Sequence, residues 1–80
     1  MYYDKAFYNN FTSILVVNSI GKLRIIYVPF QVKCNAAVQS FRLGSLLYVD
    51  AVINGRNDQL LYSINGGTYL FTHFVILINF

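Results

Sequence analysis

The segment Leu60–Leu77, LLYSINGGTYLFTHFVIL, constrains this chain more than any other. Before its glycines, Leu60, Tyr62 and Ile64 alternate with Leu61, Ser63 and Asn65, and a period of two is the signature of a strand. Asn-Gly between two such runs is the strongest short hairpin signal, because a type I′ turn needs positive φ at both central residues. With Asn65-Gly66 as the loop, Ile64 faces Gly67, Tyr62 faces Tyr69 and Leu60 faces Phe71, so aromatic and aliphatic residues share one face. A Gly66-Gly67 turn shifts the partners and keeps the faces. The stretch Gln59–Phe80 around it is long enough for a bilayer and has no formal charge. A membrane helix, however, needs about 18–20 predominantly apolar residues, and Ser63, Asn65, Gly66, Gly67, Thr68, Thr72 and His73 interrupt the run. The reading is therefore a hairpin followed by a last strand, Phe74–Ile78, which is either buried on both faces or closes a barrel.

Upstream runs extend the pattern. In Leu46–Ile53, Leu47, Val49 and Ala51 make one face, and Tyr48, Asp50 and Val52 the other. Asp50 belongs in water, so an inward Val52 requires a bulge near Asp50–Ala51. Asn54–Asp58 is a turn by composition. Ile25–Cys34 reads as a strand with Ile26, Val28, Phe30, Val32 and Cys34 on one face and Ile25, Tyr27, Gln31 and Lys33 on the other; Pro29, which has no N–H, marks an edge or a bulge. Asn35–Gly44 is a loop whose Val38, Phe41 and Leu43 fold back on the core. Thr12–Asn18 and Lys22–Val28 flank a turn at Asn18–Gly21, an added N-terminal hairpin. Tyr2–Asn10 is either a short helix or disordered.

Roughly five to six short strands without a convincing helix indicate an all-β chain folded as a small barrel or sandwich. Its 80 residues make one domain. Charged residues are only 11% and hydrophobic residues 56%, with seven Tyr and seven Phe. This composition argues against disorder. It also leaves too little polar surface to cover the outside, which points to a partner or to self-association. The net charge of +3 comes from six basic and three acidic residues, a thinner basic complement than a nucleic-acid binder usually carries.

Few residues offer chemistry. His73 is the single histidine, and the acids are Asp4, Asp50 and Asp58. A triad or a carboxylate pair would have to be gathered from distant positions. Asn65-Gly66-Gly67 precedes a strand rather than a helix N-terminus, so it is no phosphate cradle. Cys34 is the only cysteine. It forms no internal disulfide, supports no multi-cysteine zinc site, and reads as a small buried apolar residue in a reducing, cytoplasmic compartment. Ser13–Val17 is too short for the apolar region of a secretory signal, and Asp4 cancels Lys5 in front of it. The expectation is a protein that is not an enzyme and has neither cofactor nor metal, membrane segment or small-molecule substrate.

From Pro29 onward the chain resembles short SH3-like β-barrel proteins of bacteria and their phages. Those share a strand, a long loop ending in glycine, a strand of the form G-x-x-x-x-V-x-x-V, then Y-x-I-x-G-x-x-Y and a closing F-x-I. Here the matching positions are Gly44, Val49, Val52, Tyr62, Ile64, Gly66 or Gly67, Tyr69, Phe74 and Ile76. The resemblance implies an SH3-like barrel over residues 25–80, with residues 1–24 an added hairpin or an extension. Its matching positions are core and turn positions and imply no activity. The expected core is Val28, Phe30, Val32, Leu47, Val49, Tyr62, Ile64, Tyr69, Phe74 and Ile76.

The functional expectation is a non-enzymatic interaction module with a protein partner, an accessory or assembly subunit, or one that self-associates. The alternative is a nucleic-acid-binding barrel that uses basic residues and aromatic stacking. The candidate surface is Tyr27, Lys33, Phe41, Arg42, Tyr48 and Arg56, with Lys22 and Arg24 as further cations and Tyr62 as a further groove residue. The plain readings are that the charges are scattered solubilising groups and that Phe41 plugs the end of the barrel.

Overall fold

The computed structural model describes residue 3, residues 5–36 and residues 40–78, with only the backbone described for Asp58. Among these residues the fold is all-β, with nine short strands, two single-turn 3-10 segments and no α-helix. The strands form three antiparallel sheets of three strands each. The first is a meander of β1 (Lys5–Asn10), β2 (Ser13–Val17) and β3 (Leu23–Tyr27). In the second, β4 (Phe30–Cys34) lies between β5 (Leu46–Val49) and β9 (Phe74–Ile76). In the third, β7 (Leu60–Ile64) lies between β6 (Ala51–Asn54) and β8 (Gly67–Leu70). The described ladders do not run round into a closed ring.

The Asn65-Gly66 hairpin takes the two-residue form. Asn65 and Gly66 have φ of 51° and 83°, and Ile64 pairs with Gly67 and Tyr62 with Tyr69. The Leu60–Phe71 pair does not form, because the chain leaves the ladder after Leu70 and makes a 3-10 turn over Phe71–His73. That turn redirects the chain, so β9 pairs with β4 through Val32–Ile76 and Cys34–Phe74. The Leu77 amide extends the ladder by donating to the Gln31 carbonyl at 3.0 Å.

Two long runs are each divided between sheets. Leu46–Asn54 is interrupted at Asp50: β5 pairs with β4, while β6 pairs with β7. The break lets Val49, Ala51 and Val52 all be buried, which strict alternation forbids. Ile25–Cys34, expected as one strand, is two. β3 ends at Tyr27 and pairs with β2, and β4 starts at Phe30 in another sheet. Pro29 offers no N–H to a ladder, so the run ends there. These breaks, together with β1, raise the strand number above the expected five to six.

Residues 5–10 are neither helix nor disordered but strand β1. The partner supplies the reason, since β2 offers a free edge and β1 pairs along it from Lys5–Val17 to Asn10–Ser13. The turn between them is built by Asn10, whose Oδ1 accepts from the Thr12 amide (2.9 Å) and the Ser13 hydroxyl (2.8 Å). It docks on the third sheet through the Val52 amide, which donates to the Phe11 carbonyl at 2.9 Å. A boundary at residues 24 and 25 falls inside β3.

A single buried cluster joins all three sheets: Ile14 and Val16 from β2, Phe30, Val32 and Cys34 from β4, Val49, Val52, Leu60, Tyr62, Ile64, Phe74 and Ile76. Of the expected core, Val28, Leu47 and Tyr69 are only half-buried and pack against its rim. At its centre, Tyr62 meets Phe30 edge-on at 5.6 Å and Phe74 at 6.1 Å. Such pairs add about 0.5–1.5 kcal/mol each to the burial term.

Candidate functional site: the exposed sheet faces

The six candidate surface residues do not converge. Tyr27 and Lys33, expected on one strand face, sit in different sheets because the run breaks at Pro29. Phe41 is half-buried, 5.0 Å from Tyr69 and 6.3 Å from Phe74. It covers the end of the core rather than lining a groove. Tyr62 is buried and takes no part in a groove. Arg42 is exposed in the loop between β4 and β5, and Arg56 is exposed in the 3-10 turn before β7. Lys22 precedes β3 and Arg24 lies on it. The cations are thus spread over several elements.

The long loop is pinned at its ends. The Gly44 amide donates to the Cys34 carbonyl at 2.7 Å, the Cys34 amide to the Ser45 carbonyl at 2.8 Å, and the Asn35 amide to the His73 carbonyl at 2.9 Å. Leu43, expected on the core, is exposed; Val38 lies outside the described residues. The Cys34 thiol is buried and donates to the Ala36 carbonyl at 2.8 Å. His73 is half-buried, its ring 6.5 Å from Phe74. Asp50 is exposed, and its carboxylate accepts from the Asn65 amide at 3.3 Å, bracing the hairpin turn. A half-open cleft of about 520 Å³ lies between β1 and the third sheet, lined by Ala6, Phe7, Tyr8, Asn54, Leu60 and Phe71.

What the fold does assemble is two outward sheet faces. On the second sheet, Lys33 pairs with Leu46 and with Val75, and Gln31 pairs with Tyr48. These residues lie on the side opposite buried Phe30, Val32 and Cys34. Leu46, Tyr48 and Leu77 are exposed around Lys33. This face is mixed: apolar side chains surround an amide, a phenol and an ammonium group. Of the candidate surface it brings together Lys33 and Tyr48.

On the meander, the inward positions of β2 are Ile14 and Val16. The outward rows run Lys5–Val17–Leu23 and Phe7–Leu15–Ile25, with Tyr27 opposite Ser13. Phe7, Leu23, Ile25 and Tyr27 are 48%, 61%, 45% and 65% exposed. Ser13 is buried under Asn9 and Asn10, whose side chains hydrogen-bond its hydroxyl at 2.7 and 2.8 Å. Sequence reasoning set Ile25 and Tyr27 on one strand face and named only Tyr27 as a candidate surface residue here. The signal was present in SILVV and LRIIY, which are apolar at both parities, as a strand is when both its faces are to be covered.

No helix among the described residues is long and apolar enough to cross a membrane. Comparison with protein families, curated proteins and solved structures returned no match.

Proposed function

We propose that this protein is a non-enzymatic interaction module whose residues 30–76 form an SH3-like small barrel, and that it docks a protein partner on the outer face of the second sheet. The order of elements supports the barrel reading. A first strand is followed by a long loop ending at Gly44, a strand that changes sheet at Asp50, a tight hairpin, a 3-10 turn and a last strand returning to the first. The strand, the long loop ending in glycine, the next strand, the hairpin and the closing strand stand in the order the resemblance implies.

The observation that carries the docking reading is the composition of the face itself. Leu46, Tyr48, Val75 and Leu77 surround Lys33 and Gln31 in an ordered pair of rows. Apolar and aromatic groups supply the affinity of an interface, and its interspersed polar groups supply register and specificity. With a net charge of +3 and Lys33 at the centre, the complementary surface is apolar with a carboxylate.

The test has two arms. Fluorescence anisotropy with single-stranded RNA and duplex DNA, at about 50 and 200 mM salt, is expected to show no binding. Affinity capture from cells that express the protein is then compared between the native chain and a Leu46→Asp, Tyr48→Ser double variant. A partner retained by the native chain and lost by the variant supports the proposal. Tight nucleic-acid binding that weakens a hundredfold or more over that salt range would sink it in favour of the phosphate-binding alternative.

A further inference from the structure

The outer face of the meander differs in kind from the face of the second sheet. Its rows hold Phe7, Leu15, Val17, Leu23, Ile25 and Tyr27, with Lys5 at one corner. Taking roughly 200 Å² for a large side chain, the exposed fractions of Phe7, Leu23, Ile25 and Tyr27 leave about 400 Å² of surface there. The largest contiguous apolar patch on a monomer is typically about 300–600 Å² and is often an interaction site, so this face has the size of one.

We infer that a second copy of this chain covers this face, giving a two-fold dimer in which two meanders stack face to face. Two sheets pack about 10 Å apart through interdigitating apolar side chains, and this face is mostly of that kind: among the described residues its side-chain hydrogen-bonding groups are the Lys5 ammonium at one corner and, at the other end, the Tyr27 hydroxyl with Asn9 and Asn10, whose side chains already bond buried Ser13. A two-fold axis running along β2 sets Phe7 over Ile25 of the second copy and Lys5 over Leu23, so like charges do not meet. The area sets the class of interface. Apposition removes about 400 Å² from each copy, and with Leu15, Val17 and the rim it approaches the lower end of specific interfaces, about 1,200 Å² in total. An interface at that end of the range belongs to a concentration-dependent dimer rather than an obligate one. This inference uses a different sheet from the docking face and stands or falls independently of it.

Sedimentation equilibrium of the full chain from about 5 to 500 μM tests this. The expected result is a monomer–dimer equilibrium. Ile25→Glu and Leu23→Lys are each expected to weaken the dimer by about a hundredfold or more, because a charge is carried into an apolar contact. Both positions are exposed, so circular dichroism should be unchanged, and having two variants guards against one failing to fold. Leu46→Glu, on the other sheet, should leave the equilibrium as it is. A chain that stays monomeric at the highest concentration overturns the inference. So does a dimer indifferent to both meander variants, or one abolished by Leu46→Glu. Sedimentation of a monomer with phosphatidylcholine–phosphatidylserine vesicles, lost in Ile25→Glu, would overturn it too and assign the face to a lipid surface.

Discussion

At the scale of single residues, the Tyr62 hydroxyl is the least comfortable group in the core. The side chain is fully buried and its ring is held by Phe30 and Phe74, yet its oxygen has no hydrogen-bond partner among the described residues. An orphaned buried hydroxyl carries a desolvation cost of about 1–3 kcal/mol. Tyr62→Phe keeps the ring and removes the orphan, so it should raise stability by about 1 kcal/mol, read as a higher urea midpoint with an unchanged slope. Burial, and to a lesser degree the nearby Tyr3, pushes the Tyr62 ionisation well above the usual phenol range. Burial also raises Tyr3, opposed by the Ile76 amide donating to its oxygen at 3.2 Å. The sign follows from the raised folded-state value. The stabilisation is complete below pH about 10, where an unfolded tyrosine starts to ionise, and is lost as pH rises beyond that. Alkaline unfolding above about pH 10 should therefore shift upward in Tyr62→Phe, which a pH titration of the circular dichroism signal would reveal. Gly67 is constrained differently. A Cβ there would lie 2.7 Å from the Tyr69 hydroxyl and 2.9 Å from its ring, and that ring is held against Phe41 and Phe74. Gly67→Ala should destabilise by about 1–3 kcal/mol through this overlap, whereas Thr68→Ala, at an exposed neighbour, should change little.

At the scale of elements, turn chemistry fixes register. The β7–β8 hairpin depends on Gly66 at φ 83°, and an L side chain in that region costs roughly 1–2 kcal/mol. Gly66→Ala should lower the urea midpoint by that amount, and Asp50→Ala should add a smaller loss by freeing the Asn65 amide. The β1–β2 turn depends on the Asn10 side chain, which satisfies the Thr12 amide and the buried Ser13 hydroxyl. Asn10→Ala should cost about 1–3 kcal/mol because it strips a partner from a buried polar group. Its hydrogen-exchange signature should be faster exchange in β1 and β2 with the β7–β8 hairpin unaffected.

At the scale of the molecule, the buried cluster crosses every sheet. Ile14 and Val16 of the meander lie in it beside Val32, Val52 and Tyr62, and the Phe11 carbonyl is bonded to the Val52 amide. Unfolding should therefore be one transition. Ile14→Ala and Val32→Ala should each cost about 1.5–4 kcal/mol, moving tyrosine fluorescence and circular dichroism together in urea. A fragment of residues 25–80 should fail to give that transition, because it exposes the surface that Ile14 and Val16 cover. Two separate transitions in the full chain would contradict this picture.

What the residues determine alone is local. Asn65-Gly66 sets a type I′ turn because only such residues take positive φ cheaply, and the pairs Ile64–Gly67 and Tyr62–Tyr69 follow from it. Alternation determines that the chain is all-β, and a polar Asp50 between buried neighbours forces the break in Leu46–Asn54. Tertiary structure decided whatever depends on which chain lies opposite. β1 is a strand because β2 offers it an edge, although Lys5–Asn10 carries no strong strand pattern of its own. Ile25–Cys34 looks continuous by parity, yet its two halves serve different sheets, so Tyr27 and Lys33 part company. Phe41 and Leu43 are equally apolar in sequence, but only Phe41 meets Tyr69 and Phe74. Of the six candidate surface residues, five are exposed polar or aromatic groups and Phe41 is half-buried; Tyr48 and Arg56 came from runs whose strand or turn character was legible, whereas Tyr27 and Lys33 came from a run read as one strand that is two. Their grouping was not legible, because a face is a set of cross-strand neighbours, and sequence spacing does not specify neighbours until the sheets have chosen their partners.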